Sequence, residues 1–143
     1  MDGTDRFQLQ RFVDAQEGTF ETALMELRAG RKQTHWMWFI FPQMAGLGKS
    51  PTAQYYAIRS QTEARAFLAH PVLGQRYRDA VEALHVWAGR KDAVAIFGEV
   101  DAVKLRSSLT LFEAISGEPL FAKTLKAFFD ASDPETLRLL KQA

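Results

Sequence analysis

An unbroken run of six apolar residues, Trp36 to Phe41, constrains the fold of this 143-residue chain more than any other feature. An element with an apolar side chain at every position has no face suited to water, so its neighbours must cover it on all sides. The run therefore predicts the central, buried element of the domain. It is far shorter than the ~20 residues that span a bilayer, so it does not predict a membrane segment.

Helical signals recur at short intervals along the rest of the sequence. Apolar residues follow helical spacing in Phe20–Arg28, in the long stretch from Val72 to Trp87, and in Val100–Ile115. Residues that favour helix ends separate these segments. They are Asp5, Gly18, Thr19, Gly30, Ser50, Ser60, Gly89, Asp92, Gly98, Gly117 and Asp133.

Some helix starts are recognisable in more detail. The segment Ser60-Gln61-Thr62-Glu63 has the spacing of a capping box, in which the serine and the glutamate each satisfy a backbone N–H of the first turn. Three prolines follow a residue that suits a cap or a turn, and proline is well placed at the first helical position. They are Pro51, Pro71 and Pro134.

We expect an all-α protein, a compact multihelical array of about eight short helices in a single domain spanning residues 1–143. Every predicted connection is short, and no linker, internal repeat or low-complexity tract interrupts the pattern. Two short apolar runs, Trp38–Phe41 and Val94–Phe97, leave a strand open as the alternative, because such runs fit either kind of element.

Composition excludes several kinds of chemistry. The chain has no cysteine, which rules out disulfides, thiolate nucleophiles and cysteine-based zinc or iron–sulfur sites. The three histidines, His35, His70 and His85, do not have metal-ligand spacing, so we expect no metal and no cofactor. The net charge is +1 and the 18 basic and 17 acidic residues are interspersed, which argues against binding to duplex nucleic acid.

The N-terminal residues 1–6 are polar and no apolar stretch follows them, so we expect no signal peptide. Together with the absence of a membrane segment, this predicts a soluble, cytoplasmic protein with no membrane partner.

The polar ends of the aromatic run are the first candidate site. Lys32 and His35 precede the run, and Gln43 follows it. Polar groups at the ends of a buried element either satisfy backbone groups or converge on a ligand. By the same reasoning, Trp36 and Trp38 are either plain core or rings on which a ligand stacks. His35 is either a cap or satisfied core histidine, or a site residue.

A glycine-containing loop that ends in Lys49 and Ser50 is the second candidate. It lacks the spacing of a nucleotide-binding P-loop and the buried strand that precedes one. Ser50 is either an ordinary helix cap, or it forms with Lys49 an anion site at the start of the next helix. Tyr56, at the end of that helix, belongs with these ligand-binding candidates.

The third candidate lies on the long helix after Gly98. Asp101, Lys104 and Ser108 share one helical face at i, i+3 and i+7, and Ser107 lies one position round. These polar groups either line a pocket or form nothing more than a solvated Asp101–Lys104 pair.

Several motifs together resemble a bacterial family known as domain of unknown function 1810, and the match covers essentially the whole chain. The motifs are Arg11-Phe12 with Gln16, Gly30-Arg31-Lys32, His35 to Gln43, Ser50 with Ala53 and Tyr56-Ala57-Ile58, His70 to Gly74, and Phe97-Gly98 with Asp101 and Lys104 to Phe112. The resemblance implies an all-helical array and no established activity.

A weaker resemblance is to the NADAR superfamily, which is named for its links to NAD and ADP-ribose. His35 to Gln43, Lys104, and Asp133 with Thr136-Leu137 correspond to its motifs. NADAR proteins carry a glutamate directly before the histidine, whereas this chain has Thr34 there. If that glutamate is needed for glycosidic cleavage, the activity does not transfer directly to this chain.

The leading hypothesis is a protein that binds, and in its fuller form hydrolyses, a nucleotide- or ADP-ribose-derived small molecule. Its catalytic candidates are His35, Asp101 and Lys104, with His35 and Asp101 as the acid–base pair. Its ligand-binding candidates are Lys32, Trp36, Trp38, Gln43, Lys49, Ser50, Tyr56, Ser107 and Ser108. The alternatives are a non-enzymatic helical interaction module and a homo-oligomer that uses the exposed face of the Val72–Trp87 helix.

Overall fold

Ten helices make up the part of the chain that the structure, a computed structural model, describes, residues 5–143. They are α1 (Gln10–Gln16), α2 (Phe20–Arg28), α3 (Met37–Ile40), α4 (Pro51–Tyr55), α5 (Gln61–Ala69), α6 (Leu73–His85), α7 (Ala93–Phe97), α8 (Glu99–Ser116), α9 (Pro119–Phe128) and α10 (Pro134–Gln142). The all-α class is confirmed, and the count of about eight was too low.

The two runs that could have been strands are both helical, as α3 and α7. Extended pairing among the described residues amounts to one isolated parallel bridge, between Met44 and Ile58. None of the helices described has the length and apolar character needed to cross a membrane. The expectation of no signal peptide depends partly on residues 1–4, which lie outside the described residues.

Side-chain caps begin four helices where the sequence predicts them. Ser50, Ser60, Asp92 and Asp133 each accept a hydrogen bond from a backbone N–H of the following turn. The capping box at α5 differs from the expected form, in which Glu63 accepts from the N–H of Ser60. Instead, Oε1 of Glu63 accepts from the N–H of Arg59 at 2.9 Å.

The start of α6 is different from the prediction. The helix begins at Leu73 rather than at Pro71. The reason is the imidazole of His70, whose Nδ1 accepts from the N–H groups of Val72 and Leu73 at 3.1 and 3.2 Å. Proline therefore occupies the turn before the helix.

A network of buried aromatic rings forms the centre of the core. Trp36, Phe41, Tyr77, Phe112 and Phe121 are each at most 1% exposed. Successive ring centroids in this network lie 4.5 to 6.2 Å apart, mostly in tilted or edge-on arrangements that favour aromatic pairs. The prediction that the aromatic run is central to the domain is therefore confirmed.

Burial of that run is nevertheless incomplete. Trp36, Met37, Ile40 and Phe41 are buried, whereas Trp38 and Phe39 are only partly covered. Helix α3 contacts α1 and α8, and these neighbours leave part of its surface open. Trp38 is thus the tryptophan of the run that can meet a ligand.

Glycine permits two close approaches within the fold. Gly30 has φ +71°, and the N–H of the next residue, Arg31, bonds the carbonyl of Glu26 at 3.0 Å, as in a Schellman motif. A Cβ on Gly30 would lie 2.6 Å from the Trp87 ring. A Cβ on Gly74 would lie 2.0 Å from the carbonyl oxygen of Leu68, so α5 and α6 can meet there only through glycine.

The cap of α5 leads to a prediction for stability. Ser60→Ala removes the acceptor that lies 3.0 Å from the N–H of Glu63 and should lower the free energy of unfolding by about 1 kcal/mol. Urea unfolding measures this loss. Thr62→Ala, at an exposed position in the same turn, is the control and should stay within ~0.5 kcal/mol of wild type. Equal losses in the two variants would contradict the assigned cap.

Candidate functional site

A carboxylate shared by two lysines lies at the start of α8. Oδ2 of Asp101 is 2.9 Å from Nζ of Lys32, and Oδ1 is 3.2 Å from Nζ of Lys104. The three side chains are 7 to 24% exposed, so solvent screens them only in part. Two ammonium groups share one carboxylate, and the cluster therefore keeps an excess positive charge.

Each of these lysines also lies against a tryptophan of the aromatic run. Nζ of Lys32 is 5.0 Å from the ring centroid of Trp36, and Nζ of Lys104 is 5.1 Å from that of Trp38. Both distances are within the range of cation–π attraction. Trp36 is fully buried and Trp38 is half-buried. The two tryptophans therefore have different roles, with Trp36 in the core and Trp38 at the surface.

The carboxylate of Glu26 holds the loop that leads into the aromatic run. It accepts hydrogen bonds from the N–H of Gln33 at 2.8 Å, the N–H and hydroxyl of Thr34 at 3.1 and 2.7 Å, and Nε1 of Trp36 at 2.9 Å. Burial alone would raise the pKa of Glu26, but these hydrogen bonds outweigh it and lower the pKa to about 2. Glu26 thereby fixes the position of residues 33–36.

Sequence reasoning missed Glu26 as part of this region. It lies on α2, eight residues before Thr34, and no motif spacing connects the two. The available signal was its place between Leu24 and Leu27, which are both buried. An acidic residue on the apolar side of a helix requires polar partners, and the following loop supplies them.

His35 is exposed and sits between two anchored residues. Its predecessor, Thr34, is held by Glu26 and also accepts a hydrogen bond from Nζ of Lys32 through its carbonyl oxygen. His35 is therefore an exposed residue of a loop that is anchored on both sides of it. We refer to Lys32, His35, Trp38, Asp101 and Lys104 together as the Lys–Trp surface.

The two serines of α8 that were predicted as site residues, Ser107 and Ser108, are not part of the Lys–Trp surface. Ser108 is 0% exposed and its Oγ is 2.9 Å from the hydroxyl of Tyr77, whose pKa is raised by burial. Ser107 is 2% exposed and donates to Oδ2 of Asp133 at 3.1 Å. The helical face predicted to carry Asp101, Lys104 and Ser108 is thus divided, with its C-terminal part turned into the core.

The remaining predicted site residues gather around α4. Lys49 lines a cavity of about 300 Å³ together with Gly46, Gly48 and Arg59. Ser50 caps α4 by accepting from the N–H of Ala53 at 3.1 Å.

Two further candidates lie close to α4 in the chain. Tyr56 is half-buried, with its ring centroid 5.3 Å from that of Phe39, and the backbone carbonyl of Gln43 accepts from the N–H of Ile58 at 2.9 Å. Within the described part of the chain, no hydrogen bond or ion pair joins Gln43, Lys49, Ser50 or Tyr56 to the Lys–Trp surface. The structure thus separates the predicted site residues into more than one region.

Comparisons with known proteins identify the family. The structure resembles the crystal structure of the conserved hypothetical protein Rv1873 from Mycobacterium tuberculosis, with a TM-score of 0.92 and 41% sequence identity. The similarity covers 96% of this chain and 99% of that one. A comparison with curated proteins found no match, and nothing in these comparisons supports the weaker resemblance to NADAR. Residues 6–140 match the family described as protein of unknown function (DUF1810), and the chain belongs to that family.

Proposed function

We propose that this protein binds a small anionic ligand with a flat ring, of the nucleotide or ADP-ribose kind, on the Lys–Trp surface. The observation that carries the proposal is the shared carboxylate. Asp101 lies within 3.2 Å of both Lys32 and Lys104, so the pair of ammonium groups retains a net positive charge beside a half-buried indole. A phosphate group can pair with the excess charge while a base or other ring stacks on Trp38.

The proposal changes the roles expected from the sequence. Trp38 takes the ligand ring, because Trp36 is fully buried. Lys104 holds the phosphate in place of Lys49, which lines a cavity beside α4. Lys32 is 7% exposed and bonded to Asp101 and the Thr34 carbonyl, and it contributes its positive charge. Metabolites of this class are cytoplasmic, so the proposal includes a cytoplasmic location.

The fuller form of the proposal is hydrolysis of an N-glycosidic bond in the bound ligand. Water adds to the anomeric carbon, the bond to the base breaks, and the base leaves with a proton. His35 supplies that proton and Asp101 accepts the one released by water. Both oxygens of Asp101 are already paired with ammonium groups. A ligand phosphate that draws Lys104 away would free one oxygen, so catalysis would depend on phosphate binding.

Calorimetric titration with ADP-ribose and AMP tests the binding step. Lys104→Gln reduces the net charge of the cluster by one and removes a charge-assisted hydrogen bond of ~1.5 kcal/mol, so we expect affinity to fall about tenfold. Lys126→Gln is the matched control, because Lys126 is exposed on α9 and should leave the affinity unchanged. The absence of saturable heat with wild type, or an equal loss in both variants, would contradict the proposal.

The hydrolytic step needs a separate test. Release of adenine from AMP, followed by chromatography, should be lost in His35→Ala while the calorimetric affinity for AMP is retained. Binding without release by the wild type would leave the binding proposal in place and reject the hydrolytic form.

The competing proposal is a non-enzymatic interaction or oligomeric module, and exposed apolar side chains favour it. Val100 and Val103 on α8 are 71 and 65% exposed and flank Asp101 and Lys104 in sequence. Directly after α6, Val86 is 62% exposed. Light scattering coupled to size exclusion separates the proposals. A wild-type mass twice that of one chain, together with a lower mass for Val103→Asp, would favour the oligomeric module.

A further inference from the structure

A cavity of about 410 Å³ at the start of the chain has a wall rich in arginine. Arg6, Arg11, Tyr55, Arg59 and Ser60 are among its lining residues, and we call it the arginine cavity. We propose that the arginine cavity is a binding site for a phosphate-bearing small molecule, independent of the Lys–Trp surface.

Charge is the first argument. Among the described residues that line the cavity, Glu63 supplies the one carboxylate. One oxygen of Glu63 is 2.8 Å from Nη2 of Arg11, and the other accepts from the backbone N–H of Arg59 at 2.9 Å. The nearby carboxylate of Asp5 accepts from the N–H groups of Leu9 and Gln10. Three arginines and one carboxylate therefore belong to the described lining of the cavity, an excess of two positive charges that the nearby Asp5 reduces.

Arg11 shapes the cavity without being available to a ligand. All five of its N–H groups are used, in bonds to the carbonyl oxygens of Phe7, Gln8, Tyr55 and Ala57 and to Glu63. Its side chain is 5% exposed. Arg11 is therefore a fixed part of the wall, and recognition depends on the other two arginines.

Arg59 has donors to offer. Its Nη1 and Nη2 each make one contact, to the carbonyl oxygens of Ala57 at 3.4 Å and Gln54 at 3.2 Å. Gln54, Ala57 and Arg59 also line the cavity beside α4, so Arg59 lies between the two cavities. Its two contacts leave Nε–H and two further N–H groups for a ligand. Arg6 lies with its guanidinium 4.7 Å from the Phe7 ring centroid. The hydroxyl of Ser60 accepts from the N–H of Glu63 and keeps its own hydrogen to donate.

The backbone of the cavity wall is held in an unfavourable conformation. Gln8 has φ +54°, a left-handed value that non-glycine residues rarely adopt. Its carbonyl oxygen accepts from Nη1 and from the backbone N–H of Arg11, at 2.9 and 3.1 Å. The strained residue is thus fixed by the same arginine that shapes the cavity, and such conformations concentrate at binding sites.

The chemistry of the wall selects the ligand class. Guanidinium groups bind phosphate oxygens in a bidentate fork, which makes arginine the preferred residue for this group. The volume suits a small molecule. Tyr55 is 56% exposed, and its ring centroid lies 4.8 Å from that of Tyr56. Its exposed ring offers a surface for a ring attached to the phosphate. Inorganic pyrophosphate is the simplest probe of the site, because it carries the phosphate groups that ligands of this class have in common.

Calorimetric titration with inorganic pyrophosphate tests the proposal. We expect saturable binding by wild type. Affinity should fall at least about tenfold in Arg59→Gln, because the variant loses the paired, charge-assisted hydrogen bonds of the guanidinium to phosphate oxygens. Arg90→Gln is the matched control, an exposed arginine outside the cavity that makes the same change of charge. Arg6→Gln provides a second variant, should Arg59→Gln fail to fold as judged by its melting curve.

Amide NMR shifts distinguish this site from the Lys–Trp surface. On titration with pyrophosphate, shifts at residues 6–8 and 59–60 should saturate and should be lost in Arg59→Gln, independently of any shift at residues 32–38 and 101–104. The proposal is overturned by the absence of binding to wild type, by an equal loss in Arg90→Gln, or by shifts confined to the Lys–Trp surface. Because the residues differ, the proposed function can fail while this site is retained, and the reverse.

Discussion

Arg11→Met is expected to lower the free energy of unfolding by about 3–5 kcal/mol, because it leaves a buried carboxylate without its partner. Glu63 is 4% exposed and lies 2.8 Å from the Arg11 guanidinium. The same substitution removes the donors that connect the start of α1 to the segment between α4 and α5. Urea unfolding at constant m-value measures the loss.

A matched control and a double variant sharpen this prediction. Arg138→Met breaks an exposed ion pair with Glu135 in α10 and should leave the unfolding midpoint close to wild type. Combining Arg11→Met with Glu63→Gln removes the uncompensated charge and should recover part of the stability lost in the single variant. The assignment of a buried Arg11–Glu63 pair would be contradicted if the loss in the double variant equalled the sum of the two single losses. Equal losses in the Arg11 and Arg138 variants would also contradict it.

Glu26→Gln is expected to cost about 2–3 kcal/mol at pH 7, because four hydrogen bonds lose their charged acceptor. Three of these bonds share Oε1, and an amide oxygen in its place can still accept them. The amide NH₂ would then replace Oε2 opposite the hydroxyl of Thr34. Glu82→Gln, at an exposed position on α6, is the control and should stay within ~0.5 kcal/mol of wild type.

The pH dependence of this variant gives a second test. The pKa of Glu26 is about 2 in the folded protein, below the ordinary value of 4.5, so the unfolded chain binds the proton more readily. The stabilisation from the ionised carboxylate is fully present above pH 4.5 and is lost as pH falls towards 2. The difference between wild type and Glu26→Gln should therefore shrink over that range. A difference that stays constant from pH 7 to pH 3 would contradict this account.

Much of the helical architecture was predictable from local chemistry. Helix α2 has the predicted bounds, Phe20 and Arg28, because an apolar stripe and a glycine at Gly30 define it within a few residues. The caps at Ser50 and Ser60 were equally local. In contrast, a four-residue helix such as α3 has too few positions for periodicity to show which side is buried. The sequence could not tell that Trp36 is core and Trp38 is surface.

The candidate site was predictable only in part, for a similar reason. The pair of Asp101 and Lys104 follows from i, i+3 spacing on a helix. The ion pair of Asp101 with Lys32 joins residues that are distant in the chain, and only packing of the loop against α8 creates it. Ser108 was assigned to the same face, but the hydroxyl of Tyr77 on α6 provides a buried partner that the spacing could not reveal.

The most direct test of the proposed function uses the indole N–H signals of the three tryptophans during an NMR titration with ADP-ribose. Nε1 of Trp36 is bonded to Glu26 and Nε1 of Trp87 to the carbonyl of Leu27, each at 2.9 Å inside the protein. We predict a saturable shift of the Trp38 signal while the other two stay in place. No shift at Trp38 at a saturating concentration, or a shift confined to Trp87, would contradict ligand binding on the Lys–Trp surface.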